Sequence, residues 1–217
     1  MNDLNKFKQA IILNVHYTGA NMALVTIFCE HKGLQKGIVK IAKKRQAELQ
    51  KGNIIEYIHL KRKEDNLGTL KFNLIEQTFV KYFDNLNAMK NLNYICKNLV
   101  KYLKEDIPYT NLFISTTKLF DTLGLQNEEL MALYDYNLLK ELGVTLDAAN
   151  YLKEDDDNSP AYYISPKSGR VVSKQMGDPY KSKLLVLPQI LGGIENAEQT
   201  KLVQQINKFL FNKLFNG

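Results

Sequence analysis

Cysteine is scarce. The 217-residue chain has only Cys29 and Cys96, too few for a four-cysteine zinc site or a framework of several disulfides. Both are expected to be small buried apolar groups in a reducing compartment. No run of about 18 apolar residues exists, the length that crossing a bilayer requires, so neither a membrane span nor a membrane partner is expected. The opening residues Met1–Ala10 mix Asp3 with Lys6 and Lys8 and hold no apolar core, which argues against a secretory leader and for a cytoplasmic location.

Catalytic signatures are equally thin. No Gly-x-x-x-x-Gly-Lys-[Ser/Thr] loop is available to cradle nucleotide phosphates. No Gly-x-Ser-x-Gly elbow carries a nucleophile. His16, His31 and His59 are scattered without His-Glu-x-x-His spacing. The acidic run Glu154-Asp155-Asp156-Asp157 lacks the glycine turn of a cation cage and is expected as a solvated loop. A metal-dependent nuclease using Asp155–Asp157 would be the enzymatic reading, yet no nucleophile, base or metal set accompanies it. No enzyme, catalytic residue or metal site is expected.

What the sequence does hold is an uneven charge. Hydrophobic residues at 45% and charged residues at 24% fit a folded protein. Residues 1–78 carry 13 Lys and Arg against 7 Asp and Glu, whereas residues 79–217 carry 16 of each. The net charge of +6 therefore belongs to the first third, which suits a polyanionic partner.

That first third reads as strands. Ala10–His16 is apolar and ends at the turn-forming Tyr17-Thr18-Gly19-Ala20-Asn21. Met22–Cys29, Lys36–Ala42 and Ile54–Leu60 are rich in β-branched and aromatic residues. Thr69–Ile75 alternates, with Leu70, Phe72 and Leu74 on one face and Thr69, Lys71 and Asn73 on the other. Glu64-Asp65-Asn66-Leu67-Gly68 joins the last two as a hairpin. Five short strands in so few residues suit a closed barrel of the OB type, because closure removes exposed edges. Lys32, Lys36, Lys40, Lys43, Lys44, Arg45, Lys51, Lys61, Arg62, Lys63 and Lys71 cluster in and between them, as on a barrel that binds nucleic acid across one strand face.

From residue 79 the apolar period becomes helical. Asp84–Lys104, Asn111–Gly124 and Glu128–Gly143 each carry an apolar stripe at three- and four-residue steps, and so does the C-terminal segment through Leu202, Ile206, Phe209, Leu210 and Leu214. Pro108, Gly124 and Gly143 are stop signals. These stripes are expected to be core. Ala161–Ile164 and Arg170–Ser173 flank Ser165-Pro166-Lys167-Ser168-Gly169 and predict a β-hairpin. Residues 161–190 hold Lys167, Arg170, Lys174, Lys181 and Lys183 against Asp178 alone, a second basic patch.

Two stretches carry a resemblance, Ala10–Lys44 and Asp135–Leu191. AIILNVHYTGANMALVTIFCEHKGLQKGIVKIAKK, Ala10–Lys44, looks like the opening strands of RecO, the bacterial recombination mediator family. Leu138-Leu139-Lys140-Glu141-Leu142-Gly143, followed by Leu146-Asp147, is similar to that family's Leu-Leu-x-Glu-Leu-Gly helix end. Tyr163-Ile164-Ser165-Pro166-Lys167-Ser168-Gly169 resembles its Tyr-x-Ser-Pro-x-x-Gly hairpin. The resemblance implies an OB barrel at 1–78 and a helical domain at 79–217, with an inserted zinc-finger-like hairpin at about 148–185. It further implies binding of single- and double-stranded DNA, annealing of complementary strands, and work with RecR that helps RecA load onto DNA coated by single-strand binding protein, through that protein's C-terminal tail. Some members hold zinc with four cysteines. Here Ala148, Ala149 and Asn150 stand where the first are expected, so no zinc and no other cofactor is expected.

The expected DNA contacts are Lys36, Lys40, Lys43, Lys44, Arg45, Lys61, Arg62 and Lys63, with Lys167 and Arg170 as a second patch. A nucleoid-associated cytoplasmic protein follows. The alternative reading is an RNA- or ribosome-associated OB-fold binding protein.

Overall fold

The computed structural model describes residues 8–61, 67–125 and 127–216, without the side chains of residues 215 and 216. The chain divides after Gln126 into two compact units.

The first unit begins with β1 (Lys8–Gly19), β2 (Met22–Cys29), β3 (Gly33–Lys40), β4 (Ile54–Leu60) and β5 (Thr69–Glu76). They form a closed barrel in the order β1-β2-β3-β5-β4, the expected five-stranded OB arrangement. Every pairing is antiparallel except β3 with β5, which meet in parallel at Ile38 and Thr69. Alternate residues fill the interior: Ala10, Ile12, Ala23, Val25, Ile27, Val39, Ile55, Tyr57, Leu70 and Phe72.

Helices α1 (Thr78–Tyr82), α2 (Leu86–Tyr102) and α3 (Thr110–Thr122) complete this unit. Asn85 caps α2 by accepting the Ala88 N–H at 3.0 Å. The α2 face built from Ala88, Leu92, Ile95, Cys96 and Leu99 is buried, and α2 lies against β1. This explains the unbroken run Ala10–Leu13, buried on both sides of the strand: Ala10 and Ile12 enter the barrel, while Ile11 and Leu13 turn outward under cover. On the outer side of β2, Phe28 meets Phe113 of α3 edge to face, with ring centroids 5.4 Å apart, a geometry that adds about 1 kcal/mol to area burial.

Two boundaries differ from expectation. β3 starts at Gly33 and ends at Lys40, because the chain then tightens into a 3-10 turn at Lys43–Glu48. Helix α2 starts at Leu86, two residues into the expected Asp84–Lys104 segment, and Leu86 itself is 69% exposed, since it lies in the first turn, off the face that meets the barrel.

The second unit holds α4 (Glu128–Glu141), β6 (Ala161–Ile164), β7 (Val171–Ser173), α5 (Lys174–Gly177), β8 (Leu185–Val186) and α6 (Gln199–Asn216). The expected hairpin is present as β6 and β7, but the sheet has a third strand, in the order β7-β6-β8. A two-residue strand carries no readable alternation, so β8 escaped the sequence. Leu139, Ile164, Val171, Leu187, Ile206 and Leu210 form the core here, and the Asn207 amide donates to the Ala132 carbonyl at 2.7 Å to tie α6 to α4.

Both cysteines are buried. Burial raises the Cys29 thiol, against an opposing bond from Tyr57 inside the barrel, and pushes Cys96 in α2 up to about 12. Neither should react with a disulfide reagent at pH 8 in the native state, while two equivalents should react in guanidinium; rapid native labelling would contradict this packing. Gly33 has φ of +58°, and a Cβ there would sit 2.5 Å from the carbonyl oxygens of Lys104 and Ile107. Gly33→Ala is expected to destabilise by about 2 kcal/mol or more, read as a lower urea midpoint at unchanged slope.

Candidate nucleic-acid interface

Barrel closure decides which cations gather. On β3 the side chains of Lys36, Ile38 and Lys40 face outward, while Gln35, Gly37 and Val39 face in or are covered. The Ile38 N–H donates to the Gly68 carbonyl at 3.0 Å, which draws the end of the β4–β5 connection onto β3. Lys61 leaves β4 at one side of that connection, and Lys71 points outward two residues into β5. The result is a groove of about 640 Å³ lined by Lys40, Lys61 and Lys71 with Ile38, Leu60, Leu67, Gly68 and Thr69. A neighbouring hollow of about 420 Å³, lined by Asn21, Met22, Lys40, Ile41 and Ala42, continues from Lys40 to the β1–β2 turn. This is the strand face and loop pair with which OB barrels hold oligonucleotides.

His59 fixes one wall. Its Nε2–H donates to the Leu67 carbonyl at 2.8 Å, so the ring holds the returning loop. Burial lowers its pKa, the bond to Leu67 opposes that, and the charges of Lys61 and Lys32 lower it further.

The expected contacts separate into groups. Lys40 and Lys61 are in the groove. Lys43 and Lys44 are exposed in the 3-10 turn, which is tied to the β1–β2 turn where Gln46 Nε2 donates to Ala20 O at 2.6 Å and Ile41 N to Asn21 O at 3.0 Å. Among the described residues none of these four is in an ion pair with an acid. Lys36 is, bonding Glu105 at 2.9 Å. Arg45 grips Glu48 through Nε at 2.8 Å and through its terminal nitrogen at 2.6 Å, and its guanidinium covers the Phe72 ring at 5.4 Å. That bond holds Glu48 below its usual carboxylate range and raises Arg45. Arg62 and Lys63 lie outside the described residues. Lys71, which is not among the expected contacts, also lines the groove, on the outer face where the Thr69–Ile75 alternation put it.

Lys167 and Arg170 belong to the second unit, exposed at the β6–β7 turn, which closes with Gly169 N to Ser165 O at 2.7 Å and Ser165 N to Arg170 O at 2.9 Å. An added Cβ on Gly169 would meet Lys213 Nζ at 2.8 Å, so α6 brings a further cation to this turn.

Comparison with known proteins covers almost the whole chain in two matches that part between residues 78 and 84, ahead of the division after Gln126. The profile described as Recombination protein O N terminal matches residues 1–78, and Recombination protein O C terminal matches residues 84–212. The chain belongs to the RecO family. Relatives named DNA repair protein RecO include one from Rickettsia canadensis (strain McKiel), 30% identical over 89% of this chain and 82% of its own length. Another, from Ruegeria sp. (strain TM1040), is 31% identical over 95% and 88% respectively. A third, from Ehrlichia chaffeensis, is 30% identical over 95% and 85%.

For a RecO-family chain the segment after α4 raises the question of zinc, and the donors here do not fit it. Asp147 accepts from both the backbone N–H and the side-chain amide of Asn150, each at 3.0 Å. No group of three His, Cys, Asp or Glu able to hold a metal occurs among the described residues. The acidic run is also not uniformly solvated: Glu154, Asp155 and Asp156 are exposed, but Asp157 is buried. Its carboxylate accepts from Ser159 N at 2.7 Å, from the Ser159 hydroxyl, and from the buried Ser173 hydroxyl. Leu152 N to Val171 O and Ser173 N to Leu152 O, at 2.8 and 2.9 Å, stitch the same loop to β7. The expectation of a wholly solvated loop is corrected at this residue, because Ser159 and Ser173 supply it with donors that sequence distance conceals.

The bonds from Ser159 and Ser173 hold Asp157 below the ordinary aspartate value of 3.8. Its stabilising contribution is therefore complete above that value and is lost as pH falls through the lower folded value. Asp157→Ala should lower the midpoint of thermal unfolding at pH 7 and lessen the acid sensitivity below pH 4. An unchanged melting profile would show that the loop is held by packing alone.

Proposed function

We propose that this RecO-family chain is a non-catalytic DNA-binding mediator of recombinational repair. In this reading it holds single- and double-stranded DNA, anneals complementary strands, and helps RecA load onto DNA coated by single-strand binding protein. RecR and the C-terminal tail of single-strand binding protein are its protein partners, its place is the cytoplasm at the nucleoid, and it works without a cofactor. DNA repair is the role that membership of the family gives it. The observation that carries the finer reading is the groove in which Lys40, Lys61 and Lys71 converge on a strand face with no acid opposite them among the described residues.

The chemistry follows from that face. Annealing needs phosphates neutralised while base edges stay free to pair. Lysine ammonium groups on long stems do the first without reading sequence, and the apolar floor of Ile38, Leu60 and Leu67 offers contact to sugar and base faces. Lys43 and Lys44 extend the surface along the β1–β2 turn. Lys36 and Arg45 enter only if phosphate displaces Glu105 and Glu48, so they contribute less. Among the described residues no helix is long and apolar enough to cross a membrane.

Reversing Lys40, Lys61 and Lys71 together to Glu should weaken binding to a single strand at least tenfold at low salt. It should also flatten the log affinity against log salt plot by about 2, since each neutralised phosphate contributes roughly 0.7. Circular dichroism should be unchanged, because the three side chains are exposed. Annealing of complementary strands coated with single-strand binding protein should fall in parallel. Binding and salt slope equal to the parent's would overturn the assignment, and tighter binding of RNA than of DNA in competition would favour the RNA-binding alternative.

A further inference from the structure

The second basic patch carries an exposed ring that the family reading does not account for. After β7 the chain makes α5 and then a 3-10 turn at Asp178–Lys183. This turn is built rigidly. Gly177 rests on Tyr163, where an added Cβ would fall 2.3 Å from the ring, so no side chain fits. The Tyr163 hydroxyl donates to Asp178 at 2.9 Å, and Lys174 Nζ donates to the other Asp178 oxygen at 2.5 Å. Lys174 thereby neutralises the one acid of the segment, and Pro179 fixes the backbone just ahead of Tyr180. Tyr180 then stands 62% exposed, with no hydrogen bond or ring contact to the described residues. Lys181 and Lys183 follow it, both exposed and in no ion pair among the described residues, and Met176 beside them is 39% exposed.

An aromatic ring held outward among cations, its neighbouring acid already satisfied, is how proteins hold a single strand: the ring stacks an unpaired base while the cations follow the backbone. A duplex offers no such base face, because its bases stack on one another. We infer that Tyr180, with Lys181 and Lys183, is a stacking platform for an unpaired base of single-stranded nucleic acid, separate from the barrel groove. The inference rests on the DNA-binding reading above and extends it: each unit of the chain then has its own strand-holding surface. The charge argues for this occupant over an apolar protein partner, which would bury Lys181 and Lys183 without acids to meet them.

The absence of tryptophan makes the test direct. Tyr180→Trp introduces a single indole, whose emission should be quenched by an oligothymidylate and left nearly unchanged by a hairpin-closed duplex of equal charge. Tyr180→Ala should lose about fivefold or more in single-strand affinity, the lower range for one base on one ring, with duplex affinity retained, while Tyr180→Phe should bind as the parent does. No quenching at saturating oligonucleotide, or single-strand affinity unaltered by Tyr180→Ala, would overturn the platform. Either result leaves the barrel groove untouched, since that reading fails on the Lys40, Lys61 and Lys71 variant instead.

Discussion

The parallel contact between β3 and β5 is the constraint on which the candidate interface depends. Four of the five pairings in the barrel are antiparallel and extensive, whereas this one is a single registered pair, Ile38 with Thr69, supported by the bond from Ile38 N to Gly68 O. Without it the sheet would be open, with β3 and β5 as bare edges. With it, Lys40 faces Lys61 and Lys71 across one groove. Three like charges are brought together at the seam, and their mutual repulsion is tolerated because all three ammonium groups remain in water, where it is small and screened. A phosphate chain laid along that seam relieves it.

The cations of the first unit fall into two kinds. Lys32, Lys36, Arg45 and Lys81 are matched to Asp106, Glu105, Glu48 and Glu76 with Asp121, at distances from 2.6 to 3.9 Å. Such exposed pairs contribute little to stability, about 0–1 kcal/mol each, but they locally cancel the field that a polyanion would feel. Lys40, Lys43, Lys44, Lys61 and Lys71 have no such match among the described residues. The charge excess read from composition is therefore concentrated further by the fold, as the acids of the segment after α2 neutralise one edge of the β2–β3 hairpin and leave the groove positive.

In the second unit the loop preceding β6 is organised by small polar side chains. Asp147 with Asn150, and Asp157 with Ser159 and Ser173, close two short turns, and the backbone of Leu152 completes the attachment to β7. A carboxylate accepting several hydrogen bonds can order a loop as a metal does, provided every donor reaches it. The same economy appears at Asp178, which Lys174 neutralises and the Tyr163 hydroxyl hydrogen-bonds, leaving a positive segment around Tyr180.

Local order was largely written in the sequence. The five strands, the three long helices after residue 79, the C-terminal helix and the β6–β7 hairpin all follow from apolar periodicity and turn residues, because those depend on side chains within a few positions of one another. The location of net charge in the first third is likewise a property of composition. What only the tertiary structure decided is pairing across distance. The acids that neutralise Lys36 and Arg45 were not legible, since Glu105 lies 69 residues from its partner and Glu48 needed a 3-10 turn to reach Arg45. Nor was the burial of Asp157 beneath Ser173. The convergence of Lys40, Lys61 and Lys71 needed the barrel to close, and closure is set by the packing of its whole interior, which no single segment encodes.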